Sequence, residues 1–345
     1  MRVLVTGGAG FIGSHVVDAL LERGHAVRVL DNGHERAHAQ PPVADARTDF
    51  VRGDVGDAAT IERAVAGIDA VCHQSAMVGL GVDFGDVERY VYDNATATAA
   101  LLGALHRREF AGPLVVASSM VVYGEGRYRC AEHGIVRPGP RVVAALERGD
   151  YEPPCPVCGA ALEPETVPED APVDPRNVYA ATKLHTEHLA FAFAREHSEA
   201  RVVALRYHNV YGPRMPRNTP YAGVASIFRS SLERGEVPNV FEDGGQRRDF
   251  VHVRDVAAAN VAALEHTTAH GAFNVASGVP HTVGEMAAAL CRAFGAPPPH
   301  IVGGYRLGDV RHVFASTQRA SDELGFRAAI GFADGMREFA TAPLR

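Results

Sequence analysis

The sequence predicts an α/β protein: a doubly wound parallel sheet with a smaller C-terminal domain interleaved with it. Three observations carry this. The chain opens with a β-branched apolar run, Arg2 to Thr6, that passes straight into a glycine turn and then a helical pattern. Short apolar runs then alternate with helical stretches as far as residue 206, the pattern of repeated strand–helix–strand units. No internal repeat or low-complexity linker separates the two ends of the 345-residue chain, so two domains, if present, share it in pieces.

The glycine turn reads Gly7-Gly8-Ala9-Gly10-Phe11-Ile12-Gly13, with the helix continuing through Leu21. Glycines between a strand and a helix let backbone approach a pyrophosphate, whose charge then sits at the helix N-terminus. The spacing Gly7-x-x-Gly10-x-x-Gly13 differs slightly from the commoner G-x-G-x-x-G. A second strand, Ala26 to Leu30, ends at Asp31-Asn32, and an acid here accepts a hydrogen bond from an adenosine ribose 2′-hydroxyl. It repels a 2′-phosphate, which favours NAD over NADP; Arg36 tempers that preference, and Arg28 precedes Asp31 on the strand.

Phe50 to Val55 is the third strand, and Asp54 and Val55 are placed to flank an adenine. The fourth, Asp69 to Ala76, ends in small residues around Gln74, Ser75 and Ala76, which leave room for a ligand at a strand's C-terminal end. His73 there reads either as a base or as a packed strand-end histidine. A helix is expected from Val87 to Arg107 with Asn94 inside it, on a polar face or in a specific hydrogen bond. The fifth strand, Pro113 to Ala117, delivers Ser118 and Ser119 to the same edge.

Asn177-Val178-Tyr179-Ala180-Ala181-Thr182-Lys183 reads as the start of a helix running to about His197. Positions i and i+4 share a helix face, so Tyr179 and Lys183 point the same way. A free phenol titrates near ~10 and is a poor base at neutral pH, whereas a neighbouring ammonium favours the phenolate. Alone, the pair describes one buried tyrosine and one solvated lysine; beside Ser119 it makes a Ser-Tyr-Lys set. Val202 to Arg206 is the sixth strand, Tyr221 to Glu233 a helix, and Val240-Phe241 a short strand.

Composition narrows the partners. At 46% hydrophobic and 22% charged the chain is ordinary globular protein, and its net charge of −7 with no basic block argues against nucleic acid. No apolar run reaches membrane-spanning length, and the N-terminus reads as a strand rather than a signal peptide, so no membrane and a cytoplasmic location are expected. Five cysteines there suggest thiols or a metal rather than disulfides. Between Gly124 and Asp174 the chain carries Cys130-x-x-His133 and Cys155-Pro-Val-Cys158-Gly, four residues with structural zinc spacing, able to clip a Pro/Gly-rich loop that lacks apolar periodicity.

Taken together, TGGAGFIG (6–13), Asp31, HQSA (73–76), Asn94, SSMVVYG (118–124), YAATK (179–183), RYHNVYGP (206–213), RRDFVHVRDV (247–256) and RLGD (306–309) resemble the extended short-chain dehydrogenase/reductase superfamily, in its nucleotide-sugar epimerase/dehydratase branch. The pieces stand in family order and cover nearly the whole chain. The resemblance implies a Rossmann domain of residues 1–206 plus 249–280, with an insertion at 125–173, and a nucleotide-sugar-binding domain of 207–248 plus 281–345. It implies NAD held by Gly7, Gly10, Phe11, Ile12, Gly13, Asp31, Asn32, Asp54, Val55, Gln74, Ser75, Ala76, Asn94, Ser118, Tyr179 and Lys183. It implies a nucleotide-diphosphate sugar met by Ser119, Met120, His208, Asn209, Val224, Phe241, Arg248 and Arg306. Phe241 is placed to pack on the nucleobase, the two arginines suit the diphosphate, and His208, Met120 and the 78–82 loop are placed around the sugar. A homodimer packed through the helices carrying Asn94 and Tyr179 is implied in the same way.

By the same resemblance, Tyr179 takes the proton of a substrate hydroxyl, Ser119 bonds that oxygen, Lys183 tunes the phenol and meets the nicotinamide ribose, and the hydride leaves sugar C4. Similar 4,6-dehydratases carry an Asp-Glu pair directly after the hydroxyl residue, similar decarboxylases keep the Glu, and GDP-sugar epimerases place a cysteine at the second position. Here those positions are Met120 and Val121, which cannot exchange protons. The expectation is therefore 4-epimerisation, with a dehydratase or 4-ketoreductase of the same fold and a non-catalytic dinucleotide-binding regulator as the rival readings. The SSMVVYGEGRYRC context and the cysteine-bearing insertion are most similar to dTDP-L-rhamnose 4-epimerase-like members, with UDP-hexose 4-epimerases as the other near branch.

Overall fold

Seven strands pair side by side in parallel: β1 (Arg2–Thr6), β2 (Ala26–Asp31), β3 (Asp49–Arg52), β4 (Ala70–His73), β5 (Pro113–Ser119), β6 (Arg201–Tyr207) and β7 (Gly271–Val275). Their spatial order is β7-β6-β5-β4-β1-β2-β3. The order reverses between β1 and β4, and at such a switch point the chain leaves in opposite directions and opens a crevice beyond the strand ends. The structure, a computed structural model, describes residues 1–345 other than 36, 39, 44, 80–83 and 218–222. Arg36, most of the 78–82 loop and the first two residues of the helix expected from 221 lie outside the described residues.

The central strands, covered on both faces, are buried along nearly their whole length, which is why they read as continuous apolar runs. Successive side chains still alternate between faces. Val3 and Val5 join one core with Val16 and Leu20 of α1 (Phe11–Glu22), whereas Leu4 joins the other with Leu101 and Leu105 of α2 (Ala97–Arg107). Phe193 of α3 (Val178–Glu196) packs on that second face, and Val256 and Leu264 of α4 (Val253–Glu265) on the first. Asn177 caps α3, its Oδ1 accepting the Ala180 amide at 2.8 Å, which fixes the start of the helix two residues before Tyr179. The helix expected from Val87 is wound in three parts: α-helical Val87–Tyr90, π-helical Val91–Thr96 containing Asn94, then α2.

A third core, with Tyr211, Phe228, Val240, Met286, Leu290 and Phe339, lies in residues 211–344. Here Arg247–His252 pairs in parallel with Asn209–Tyr211 and His312–Val313 and antiparallel with Pro280–Thr282, and Asn239–Val240 pairs with His300–Ile301. The insertion departs from its expected loop character. Arg127–Cys130 is the central strand of a small antiparallel sheet, flanked by Gly134–Val136 and Glu163–Glu165, with a short helix at Val143–Glu147. These strands of three or four residues, with one fully buried aromatic, Tyr128, are too short to show period-2 alternation. Among the described residues, no helix is long and apolar enough to cross a membrane.

Candidate active site

A cleft of about 700 Å³ opens beyond the C-terminal ends of the sheet strands and runs from the glycine turn to the third core. Two glycines in the turn admit no replacement. Gly7 has φ +67°, and a Cβ there would lie 2.8 Å from the Ser75 amide nitrogen. A Cβ on Gly13 would lie 2.1 Å from the Gly7 carbonyl oxygen. α1 starts at Gly10 with no side-chain cap and no acid in its first turn, so its N-terminal amides are left for an anion in the cleft. This cradle fits a dinucleotide pyrophosphate.

Asp31 follows at the end of β2, buried and lining the cleft. Burial opposes its ionisation. The hydrogen bonds from His38 and from the Gly33 and Ala9 amides outweigh that and hold its pKa below the ordinary value. The Gly33 and Ala9 contacts measure 2.8 and 3.0 Å and leave the carboxylate further acceptor positions. Arg28 is turned away, bonded to Asp49 and to the Ala64 and Ala66 carbonyls. Asn32 donates to Asp54 at 2.9 Å, and Asn32, Asp54, Val55, Gln74, Ser75, Ala76 and Ser118 all line the cleft with Gly10, Phe11 and Ile12.

Asn94 is buried behind the cleft wall. Its Oδ1 accepts the Met77 amide at 2.7 Å, and its Nδ2 donates to the Met77 carbonyl at 3.0 Å and to Thr182 Oγ1 at 2.9 Å. It ties the loop after β4 to the helix that bears Tyr179. His73 is the packed histidine: its ring nitrogens meet Thr6 Oγ1 at 2.7 Å and Thr98 Oγ1 at 3.0 Å, and burial pushes its pKa down to about 3.

Ser119, Tyr179 and Lys183 meet at the middle of the cleft. The Tyr179 hydroxyl faces the Ser119 side chain. Lys183 is buried, donates to the Ala117 carbonyl at 2.7 Å, and holds Nζ 6.0 Å from the Tyr179 ring centre. The phenol pKa is not lowered as the sequence suggests. Burial pushes it up to about 12, with the Ser119 side chain opposing. Burial also brings Lys183 down to about 8, against the pull of Glu187, so no cation remains beside the phenol by the pH at which it ionises. Beneath the trio, Ser118 donates to Glu187, whose carboxylate forks onto Arg206 at 2.8 and 2.9 Å; Arg206 in turn reaches Tyr123 Oη at 2.9 Å.

The outer half of the cleft holds Met120, His208, Asn209, Val224, Phe241, Arg248 and Arg306 together, from segments far apart in sequence. Asn209 Oδ1 is buried and without a partner among the described residues, so it is an acceptor presented at the cleft. Burial pushes His208 down to about 3, which leaves it neutral at physiological pH. Arg248 is more committed than expected: its two Nη atoms bond the Arg247, Arg311 and Val310 carbonyls at 2.9, 2.9 and 2.6 Å, so it fastens the 310–311 segment while lining the cleft. His34, His38, Asn239 and Gln246 also line the cleft and were not legible beforehand; the only hint for the histidines is their place just after Asp31.

Away from the cleft, Cys130, His133, Cys155 and Cys158 present ligand atoms that all lie within 4.8 Å of one another. Cys130 Sγ is 3.5 Å from His133 Nδ1 and 3.7 Å from Cys158 Sγ, and Cys155 Sγ is 3.9 Å from His133 Nδ1. A tetrahedron of zinc–sulfur bonds of about 2.3 Å has edges of about 3.8 Å, whereas a disulfide needs about 2.0 Å. The separations fit a four-coordinate metal, and all five cysteines are free.

Three similarities bear on this geometry. The NAD dependent epimerase/dehydratase family model matches residues 3–137 and 155–276. The dTDP-L-rhamnose 4-epimerase of Burkholderia thailandensis is 32% identical over 99% of this chain and 94% of its own length, and UDP-glucose 4-epimerase 3 of Oryza sativa subsp. japonica is 30% identical over 97% and 88%. Among solved structures, the Thermus thermophilus UDP-glucose 4-epimerase complex with NAD superposes with a TM-score of 0.80 at 32% identity, covering 99% of this chain and 98% of that one. The Thermotoga maritima UDP-glucose 4-epimerase with UDP-glucose gives 0.80 at 28%, covering 99% and 97%. Matched from end to end by such relatives, and by the family model over most of its length, the chain belongs to the NAD dependent epimerase/dehydratase family.

Proposed function

We propose that the protein is an NAD-dependent nucleotide-sugar 4-epimerase. One observation carries the reading: the Ser119–Tyr179–Lys183 trio lines the cleft, and the two residues after Ser119, Met120 and Val121, line it too and hold no titratable group. NAD bound along Gly7–Gly13 and Asp31 supplies the acceptor, and then the donor, of the C4 hydrogen. Tyr179 takes the proton of the 4-hydroxyl and later returns it, and Ser119 holds that oxygen. Lys183, while charged, stabilises the phenolate. Asp31, anionic and buried, receives a ribose hydroxyl and repels a 2′-phosphate. Asn209, Phe241 and Arg306 meet the nucleoside diphosphate, with Arg248 beside them. Neutral His208 bonds the sugar without competing for protons. Elimination needs an acid–base group beside C5, and Met120 and Val121 offer none, so the 4-keto sugar turns over and is reduced on its other face.

Zinc belongs to the same proposal as a structural ion, held by Cys130, His133, Cys155 and Cys158. A homodimer packed through the α2 and α3 faces, beside which Val91 and Tyr92 are exposed, completes it; light scattering on the eluting protein tests that assembly.

The deciding experiment incubates the protein with a panel of UDP-, dTDP- and GDP-sugars and follows the sugar by proton NMR. A C4 epimer should form with no net absorbance change at 340 nm, and deuterium placed at C4 should stay in the product. Solvent deuterium at C5, or stoichiometric consumption of reduced cofactor, would replace this reading with a dehydratase or a ketoreductase.

A further inference from the structure

We infer that the Cys130–His133–Cys155–Cys158 centre is a clasp for the substrate pocket: by pinning both ends of residues 134–154 it holds a strap that forms the outer layer of the nucleoside-diphosphate subsite. The inference rests on the nucleotide-sugar reading above and adds a role for the metal.

The strap runs between the two halves of the ligand set, so coordination closes it as a loop. Inside it, Arg141, Tyr151 and Glu152 reach toward residues 242–243 and 303–312. Arg141 Nη1 pairs with Glu242 at 2.6 Å, both side chains buried, and its Nη2 donates to the Asp309 carbonyl at 2.7 Å. Tyr151 donates to the Gly303 carbonyl at 2.8 Å. Glu152 bridges Arg311 at 2.7 Å and His312 at 2.9 Å. Arg311 also pairs with Glu242 and Asp243, so the strap and two further segments form one ionic layer.

Those segments, 241–243 and 303–312, carry Phe241, Arg306 and Asp309 into the outer cleft. Glu242 has φ +56°, a left-handed conformation that a residue with a Cβ holds only when its surroundings fix it. Its amide donates to the Gly304 carbonyl at 2.7 Å, its carboxylate pairs with Arg141 and Arg311, and Phe241 is its immediate neighbour. The family model leaves residues 138–154 unmatched, and this stretch contains Arg141, Tyr151 and Glu152. Without coordination only the backbone pairing of Gly134–Val136 and Glu163–Glu165 with Arg127–Cys130 holds the strap's ends, and the entropy of ordering the residues between them opposes its contacts. The dinucleotide cradle of Gly7, Gly13 and Asp31 receives none of them.

The test measures zinc by elemental analysis, bound NAD, and calorimetric binding of UDP, dTDP and GDP on the full-length protein and two variants. Wild type should carry about one zinc per chain. Cys155→Ser/Cys158→Ser should lose the metal, keep its NAD, and bind the preferred diphosphate about tenfold more weakly. Tyr151→Phe leaves the ligands and the core intact; it should keep both zinc and NAD and bind the diphosphate about fivefold more weakly. Absence of metal from the wild type, or unchanged diphosphate affinity in Tyr151→Phe or in a folded, metal-free double variant, overturns the clasp. A wild type that carries zinc but binds none of UDP, dTDP and GDP overturns the nucleotide-sugar reading itself, and the clasp with it; wild-type binding thus separates the two failures.

Discussion

Replacing Lys183 by methionine tests whether its charge, and not only its bulk, serves Tyr179. The ammonium lies 6.0 Å from the phenol ring. With an effective dielectric of about 20, that separation gives about 2.8 kcal/mol of attraction for the phenolate, close to two pH units. While Lys183 is charged, the phenol therefore ionises about two units more readily, and the phenolate fraction is about a hundredfold larger. Burial sets the range over which this holds. Lys183 is pushed down to about 8, so its help is full well below that pH and fades as the pH rises through it. In steady-state kinetics on the sugar identified by NMR, wild-type kcat should exceed that of Lys183→Met about a hundredfold near pH 7. The ratio should then contract steadily between pH 8 and 10. The variant also orphans the Ala117 carbonyl, at a cost of about 1–3 kcal/mol, so thermal unfolding should confirm a folded protein at each pH. A ratio that stays constant from pH 6 to 10 would show that Lys183 acts only as a scaffold, and the electrostatic argument would fall.

Asn94→Ala removes two hydrogen bonds to Met77 in the loop after β4 and one to Thr182 in α3, leaves the Met77 amide without its acceptor, and should lower stability by about 2–3 kcal/mol in urea titrations; an unchanged midpoint would deny Asn94 its tying role. Gly13→Ala drives a methyl to 2.1 Å from the Gly7 carbonyl, so the turn must open, and protein purified from this variant should carry little NAD; full occupancy would contradict the close packing of α1 on the turn. Glu187→Gln leaves the Arg206 guanidinium buried beside a neutral amide and should cost about 3–5 kcal/mol, read by chemical denaturation, with a loss below about 1 kcal/mol excluding a strong buried pair.

How much of this was legible in the sequence follows from which forces act locally. The sheet was legible because parallel strands buried on both faces leave unbroken apolar runs, and because a turn as close as Gly7 to Ser75 accepts only glycine. The start of α3 was legible from Asn177, whose side chain can satisfy a helix-end amide. Asn94 was legible as special but not in its role, since its partners Met77 and Thr182 lie 17 and 88 residues away. The strap was illegible for the same reason: Arg141, Tyr151 and Glu152 read as solvated polar residues until 242–243 and 303–312 are brought beside them. The Cys/His spacing survived because ligand geometry is written into short intervals. The phenol pKa did not, because desolvation depends on the packing around the whole trio and not on the i, i+4 spacing that brings the lysine near.

That last difference bears on the reaction. A phenol lowered well below its ordinary range would make a stable anion and a weak base, good at holding a negative charge and poor at taking a proton from an alcohol. Tyr179, raised to about 12 by burial, sits nearer the acidity of a sugar hydroxyl. General acid–base transfer is most efficient when the catalytic pKa lies near the operating pH, so a phenol held this high relies on Lys183, while charged, to supply the phenolate. A dehydrogenase needs the proton to leave for solvent; an epimerase needs it back on the same oxygen. Lys183 then sets how often the phenolate is available, and burial sets how strongly it pulls. Met120 and Val121 offer no titratable group for that proton, which favours the proposed chemistry, one that runs forward at the trio and then reverses on the other face of the sugar.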